Sequence, residues 1–155
     1  MSHTAILSPL GPLTVFEEEG ALVAIEWGRG AGDASSPLLE EATRQLNAYF
    51  DARLEAFSLP LAPRGTPFQQ KLWKELSSIP FGEVRSYGEL ARLLGVSARA
   101  VGMGCGANPI AVVIPCHRVI AAGGRLGGYS GGDGPVTKRA LLALEGVTLD
   151  AGGAG

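Results

Sequence analysis

The chain opens with short β-rich runs and then changes to helical spacing. TAILSPLGPLTVFEEEGALVAIEWG holds three such runs, divided at Ser8-Pro9, Gly11-Pro12 and Glu19-Gly20. Runs of this kind between Gly and Pro signals predict three strands. In SSPLLEEATRQLNAYFDA the apolar positions Leu38, Leu39, Ala42, Leu46 and Tyr49 take a helical period, and Ser36 before Pro37 supplies a start. Residues 1–63 therefore read as a small N-terminal strand-and-helix lobe. Within it, SLPLAPRGT (58–66) reads as a proline-rich linker.

From residue 64 the pattern is mostly helical, and residues 64–155 read as a second domain. Thr66-Pro67 opens a helix with Phe68, Leu72, Trp73, Leu76 and Ile79 on one face. Ser86 and Glu89 have capping-box spacing, and Gly95 is placed to stop that helix. Ser97 starts another, ARAVGMGCGA, which completes a helix-turn-helix pattern. Its small residues allow close approach, either to a groove of DNA or to a packed neighbouring helix. Pro135 to Glu145 predicts a last helix with Leu141, Leu142 and Leu144 inward, ended by Gly146.

Composition bounds the class. With 155 residues, 46% hydrophobic and 18% charged, the chain is globular. No apolar run reaches membrane-spanning length, and Met1 to Leu10 lacks a signal-peptide pattern, so a soluble cytoplasmic protein is expected. Residues 1–63 hold 3 Arg and no Lys against 9 Asp plus Glu, net −6; residues 64–155 hold 10 Lys plus Arg against 6 Asp plus Glu, net +4. A polyanion would bind the second part; chance segregation of surface charge explains the asymmetry equally well. Two cysteines, Cys105 and Cys116, and two histidines, His3 and His117, make neither a disulfide framework nor a zinc site. No metal or other cofactor is expected.

One segment does not fit a plain core. IAVVIPCHRVI, Ile110 to Ile120, interrupts branched apolar residues with Pro115, Cys116, His117 and Arg118. A thiol becomes a nucleophile when a base, a cation or a helix start lowers its pKa. Pro115 suits a first helical turn, which would put Cys116 at a helix start. Adjacent side chains normally diverge, so His117 would reach the thiol through a water. Glu145, at the unfavourable end of its helix dipole, is suited to pair with an imidazole. A structural cysteine beside a satisfied core histidine, and a solvated helix end, are the bland readings of the same residues. GYSGG, Gly128 to Gly132, matches the hydrolase elbow G-x-S-x-G, but that motif needs a later histidine. Gly123 to Gly134, with seven glycines in twelve positions, reads instead as a loop near the site.

NPIAVVIPCHRVI, with RSYGELA and SARAVG upstream and GGYSGG and LLALEG downstream, resembles the methylated-DNA–protein-cysteine methyltransferases, the O6-alkylguanine-DNA alkyltransferases. The resemblance covers roughly residues 64–147 closely and the first lobe only in outline. It implies an α+β fold, a ribonuclease H-like N-terminal lobe followed by a winged-helix-like C-terminal domain. It implies direct-reversal repair: one irreversible transfer of an alkyl group from O6-alkylguanine, and also O4-methylthymine, to Cys116. By this resemblance His117 acts through water as base, Glu145 orients His117, and Asn108 braces the turn. Tyr87 donates a proton to the base and crowds the DNA backbone. Arg99 fills the gap in the stack, and the recognition helix Ala98 to Ala107 lies in the minor groove of double-stranded DNA. Ser86, Ala98, Gly102, Gly104 and Ala107 fall on the DNA side; Pro115, Val119, Tyr129 and Ser130 line the base pocket. A monomer without cofactor is implied. Two residues near Asp133-Gly134 are extra against the family pattern. A cysteine hydrolase or redox enzyme using Cys116 and His117, and a helix-turn-helix regulator with Cys116 as packing, are the rival readings.

Overall fold

The computed structural model describes residues 1–30 and 34–149; residues 150–155 of the expected second domain lie outside them. The chain forms two compact units, Met1–Arg64 with Pro109–Val113, and Gly65–Asn108 with the chain from Ile114 onward. The division is thus not a single cut near residue 64, because one short later segment belongs to the first unit.

In the first unit, β1 (Ser2–Ser8), β2 (Gly11–Glu18) and β3 (Ala21–Trp27) form an antiparallel sheet in chain order. Glu19 and Gly20, both at positive φ, make the tight turn between β2 and β3, a geometry that matches strand twist. Gly11-Pro12 opens β2 and does not form a separate turn. The helix α1 (Pro37–Phe50) packs on the sheet, burying Leu39, Ala42, Leu46 and Tyr49; Ser36 caps it by accepting the Leu39 amide. Leu38 is only half-buried.

The proline-rich stretch is not a free linker. Leu22 N–H donates to Pro60 O (2.9 Å), Ala62 N–H donates to Leu22 O (2.8 Å), and Gln45 is bonded to Ser58. Further along β3, Ile25 N–H donates to Pro109 O (2.9 Å) and Ala111 N–H to Ile25 O (3.1 Å). Both segments run parallel to β3 and satisfy backbone groups an open sheet edge would expose. Sequence patterning missed these pairings because single bridges leave no period.

The second unit contains α2 (Pro67–Ser77), β4 (Arg85–Ser86), α3 (Tyr87–Leu94), α4 (Ala98–Gly106), β5 (Val119–Ile120) and α5 (Pro135–Leu144). Capping boxes start α2 at Thr66/Gln69 and α3 at Ser86/Glu89. Gly95, left-handed at φ 70°, ends α3, and Ser97 caps α4. β4 and β5 pair in parallel. Leu144 is half-buried, so the inward face of α5 is carried by Leu141 and Leu142. Leu142 joins Ile120 and Leu126 in a cluster flanked by Val84, Val147 and Leu149.

The helices α2 and α4 meet at Gly104. Trp73 Nε1 donates to its carbonyl (3.0 Å), and a Cβ there would lie 2.3 Å from Leu72 Cδ2. This glycine is small for helix packing; the expectation that it faces DNA is corrected on that ground. Among the described residues no helix is long and apolar enough to cross a membrane.

Candidate active site

The approach to Cys116 is built from two three-residue turns. Val113 N–H donates to Ala111 O (2.8 Å) around Val112, whose φ is 71°. Left-handed backbone is costly for a β-branched residue, so this turn stores strain that the buried Val112 side chain must offset. Cys116 N–H then donates to Ile114 O (2.8 Å) around Pro115, at φ −84°, ψ 66°, an inverse γ-turn. Asn108 Nδ2 donates to Ile114 O (2.8 Å) and braces the carbonyl that turn uses.

Cys116–Arg118 is one turn of 3-10 helix, with Pro115 as its cap. Cys116 therefore stands at the start of a short helix, as expected, but that helix is a single 3-10 turn that runs at once into β5, too short to add up a sizeable dipole behind the thiol. The tight turn has another use. With three residues per turn, successive side chains diverge by a third of a circle. Cys116 is half-buried while His117 and Arg118 point into the core.

His117 is wholly buried, and its Nε2 lies 2.7 Å from Glu145 Oε2. Glu145, at the end of α5, is itself buried. Its Oε1 accepts from Arg118 Nε (2.7 Å) and its Oε2 from the Arg118 Nη2 (3.0 Å), while Arg118 Nη1 donates to Ile79 O (2.6 Å). Arg118 also stacks over Phe81. A carboxylate held by a bidentate guanidinium stays ionised and accepts only. His117 must then donate through Nε2, which leaves Nδ1 as the unprotonated, basic nitrogen. Nδ1 is buried with no protein hydrogen-bond partner. Burial lowers the His117 pKa against the raising pull of Glu145, so the ring is a neutral base near pH 7.

A cavity of about 650 Å³, within the range of small-molecule sites, opens beside Cys116. Of the predicted site residues it gathers Tyr87, Ala98, Arg99, Gly102, Cys116, Tyr129 and Ser130, together with Cys105, Gly106 and Gly128. Pro115, Val119, Ser86, Gly104 and Ala107 are not in its lining: Val119 is buried and paired with Arg85 of β4, Ser86 is the α3 cap, and Ala107 ends α4. Ser130 is exposed in the loop before α5, without the strand-to-helix turn of a hydrolase elbow. Among the described residues no cluster of three or more His, Cys, Asp or Glu could hold a metal ion.

The titration of the lining groups follows from burial. Burial raises the Cys116 thiol, opposed by the Asn108 amide, the Lys138 ammonium and the thiol's backbone hydrogen bond. Cys105 and Tyr87 are each pushed up to about 12, chiefly by burial, so both hold their protons at neutral pH.

The matching family models are the 6-O-methylguanine DNA methyltransferase ribonuclease-like domain over residues 1–63 and its DNA binding domain over residues 67–147. The chain belongs to the methylated-DNA–protein-cysteine methyltransferase family. A relative of that name from Methanosarcina acetivorans is 41% identical over 94% of this chain and 99% of its own length. One from Mycobacterium tuberculosis is 46% identical over 92% of this chain and 91% of its own. The crystal structure of Mycobacterium tuberculosis OGT in complex with DNA superposes with a TM-score of 0.84 at 46% identity, covering 94% of this chain and 92% of that one. A Methanococcus jannaschii O6-methylguanine DNA methyltransferase superposes at 0.67 with 26% identity over 96% of each chain.

Two residues of this methyltransferase site escaped the sequence reading. Arg118 follows His117 directly in the chain, and nothing in a lone sequence shows that it shares Glu145. Lys138 is fully buried in α5, with Nζ 3.1 Å from Gly128 O and 3.4 Å from the Tyr87 hydroxyl. A signal for it did exist. Lys138, Leu141, Leu142 and Glu145 follow i, i+3, i+4, i+7 spacing, which puts both charged residues on the apolar stripe of α5.

Proposed function

We propose that the protein repairs alkylated DNA by direct reversal, taking a methyl or other alkyl group from O6-alkylguanine, and also from O4-methylthymine, onto Cys116. The observation that carries this reading is the arrangement behind the thiol. Cys116 faces a cavity, and the neighbouring His117 is fixed by Glu145 so that its free Nδ1 can act as base. A water between Nδ1 and Sγ takes the thiol proton to the imidazole, and Glu145 stabilises the imidazolium. The thiolate attacks the alkyl carbon and forms an S–C bond as the C–O bond breaks onto guanine. Tyr87, whose phenol stays protonated to about pH 12, donates to the leaving base. Asn108 holds the turn that presents Sγ.

The target base must leave the stack to enter the cavity. Arg99, exposed at the start of α4, is placed to fill the gap, and the recognition helix Ala98 to Ala107 enters the minor groove with Gly102 as its close-approach residue. Tyr129 and Ser130 flank the flipped base. One chain supplies all these groups, so a monomer is the acting unit, and a reducing cytoplasm would keep the thiol available. A thioether is a poor leaving group and no resolving thiol is needed, so each molecule acts once.

Intact mass and peptide mapping after mixing with a duplex carrying one O6-methylguanine test the reading. One methyl on Cys116 per protein, without turnover, is expected. Binding without modification would replace it with a sensor, and neither binding nor modification would favour a cysteine hydrolase or redox enzyme.

A further inference from the structure

The helix α4 carries one long apolar side chain that the repair mechanism does not use. Met103 is 68% exposed, although it stands inside the helix and not at an end. The other large apolar side chains left open to solvent, Met1, Leu7, Leu93 and Val136, all lie on other elements. Val101, Gly104 and Cys105 are the buried residues of α4, and Ala98, Arg99, Gly102 and Gly106 line the cavity beside Cys116. At 3.6 residues per turn, Met103 stands about 40° round the helix from Arg99 and about 6 Å further along it. Arg99, Met103 and Gly106 are all exposed and follow i, i+4, i+7 spacing, so they form one outward ridge. Between and beside the two long side chains of that ridge α4 has only Gly and Ala on its outer surface. A groove that takes Gly102 at close range must therefore also take Met103, the next residue, which projects further.

We propose that Met103 lies on the floor of the minor groove beside the flipped nucleotide and makes repair favour A·T over G·C at the base step it covers. This role rests on the repair reading and its minor-groove approach. With about 3.4 Å per base step, a side chain about 6 Å beyond Arg99 reaches one to two steps from the gap that Arg99 fills. The minor groove offers acceptors at every pair, and only G·C adds a donor, the guanine N2 amino group. A thioether is a weak acceptor. Laid over G·C, Met103 strips water from that amino group without replacing its hydrogen bond, and the amino group also fills space the side chain needs. Over A·T neither cost arises, and an unbranched, polarizable chain adapts to the smoother floor. Met103 carries no charge, so it adds nothing to the phosphate contacts and nothing to their salt dependence. It contributes context, while Arg99 contributes the insertion itself.

The test is single-turnover methylation of duplexes carrying one O6-methylguanine. The pairs one and two steps to either side are set in turn to A·T, G·C or inosine·C, a pair that lacks the amino group. At subsaturating protein, G·C at one of these positions is expected to slow wild-type transfer about fivefold against A·T, with inosine·C matching A·T. Met103→Ala, at an exposed helix site, should fold with the wild-type melting temperature and keep the wild-type rate at saturating protein. It should also keep the wild-type salt dependence, and it should treat G·C and A·T alike. Equal wild-type rates in every context overturn the role. So does inosine·C that behaves as G·C. A preference that survives in Met103→Ala overturns it too, because that preference belongs to the stability of the duplex. Wild-type protein that never methylates Cys116 in any context overturns the repair reading instead. Equilibrium binding to the same duplexes then decides the Met103 contact by the same comparisons.

Discussion

Glu145→Gln separates the charge of this carboxylate from its shape. The native side chain accepts three hydrogen bonds, one from His117 and two from Arg118, at 2.7, 2.7 and 3.0 Å. A glutamine has one accepting oxygen and one NH₂ group, so it cannot accept all three. If its oxygen stays on Arg118 Nε, its NH₂ points at His117 Nε2, which must then accept. The ring proton moves to Nδ1, and the basic nitrogen that the proposed water-mediated proton transfer uses is gone. Losing a general base costs on the order of 10²–10⁴-fold in rate, about 2.7–5.4 kcal/mol of barrier at 1.36 kcal/mol per decade. Stability should fall as well, because Arg118 keeps its buried charge without a counter-charge. Breaking such a pair costs about 3 kcal/mol, or about 6–12 °C in melting temperature for a chain of this size. The assay is single-turnover methylation at pH 7 and pH 9.5, at a temperature where the variant is folded. The deficit should narrow at pH 9.5, where hydroxide takes over from the missing base. A folded variant with the native rate at pH 7, or one whose deficit is the same at both pH values, would refute the tautomer argument.

Other consequences can be checked singly. Gly104→Val should clash with Leu72 and the Trp73 contact and cost about 1–3 kcal/mol in chemical denaturation, with lesion-free DNA affinity little changed in the folded fraction. Because burial holds His117 below its free value of 6.5, the unfolded chain binds a proton there that the folded chain does not; stability should therefore decline as pH falls from about 7.5 through 6.5, and less so in His117→Phe. Arg99→Ala should weaken methylation on duplex substrate about tenfold or more while leaving the reaction with a free O6-alkylated base unchanged, compared by intact mass. Cys105→Ala should leave Cys116 methylation intact, since a thiol held near pKa 12 takes no part at neutral pH; loss of methylation in a folded variant would overturn that.

What the chain alone determined is local. Ser36, Thr66, Ser86 and Ser97 each cap the helix they precede, because a short oxygen-bearing side chain satisfies an otherwise unpaired amide whatever lies around it. Period and turn chemistry likewise placed the three strands and five helices, and the PCHRV and LLALEG segments carried the thiol, the imidazole and Glu145. Tertiary structure decided everything that depends on distant residues meeting. The proline-rich stretch became a partner of β3 because a sheet edge needs its amides paired. Gly104 went to Leu72 and Trp73 because α2, not a ligand, occupies that face of α4. Cys116 and His117 part company because the chain makes two γ-turns and one turn of 3-10 helix, a path with no sequence period. Arg118 and Lys138 gained meaning only when burial removed water from their charges. A buried charge must find its partners across the fold, and those partners are the residues that a linear reading cannot see.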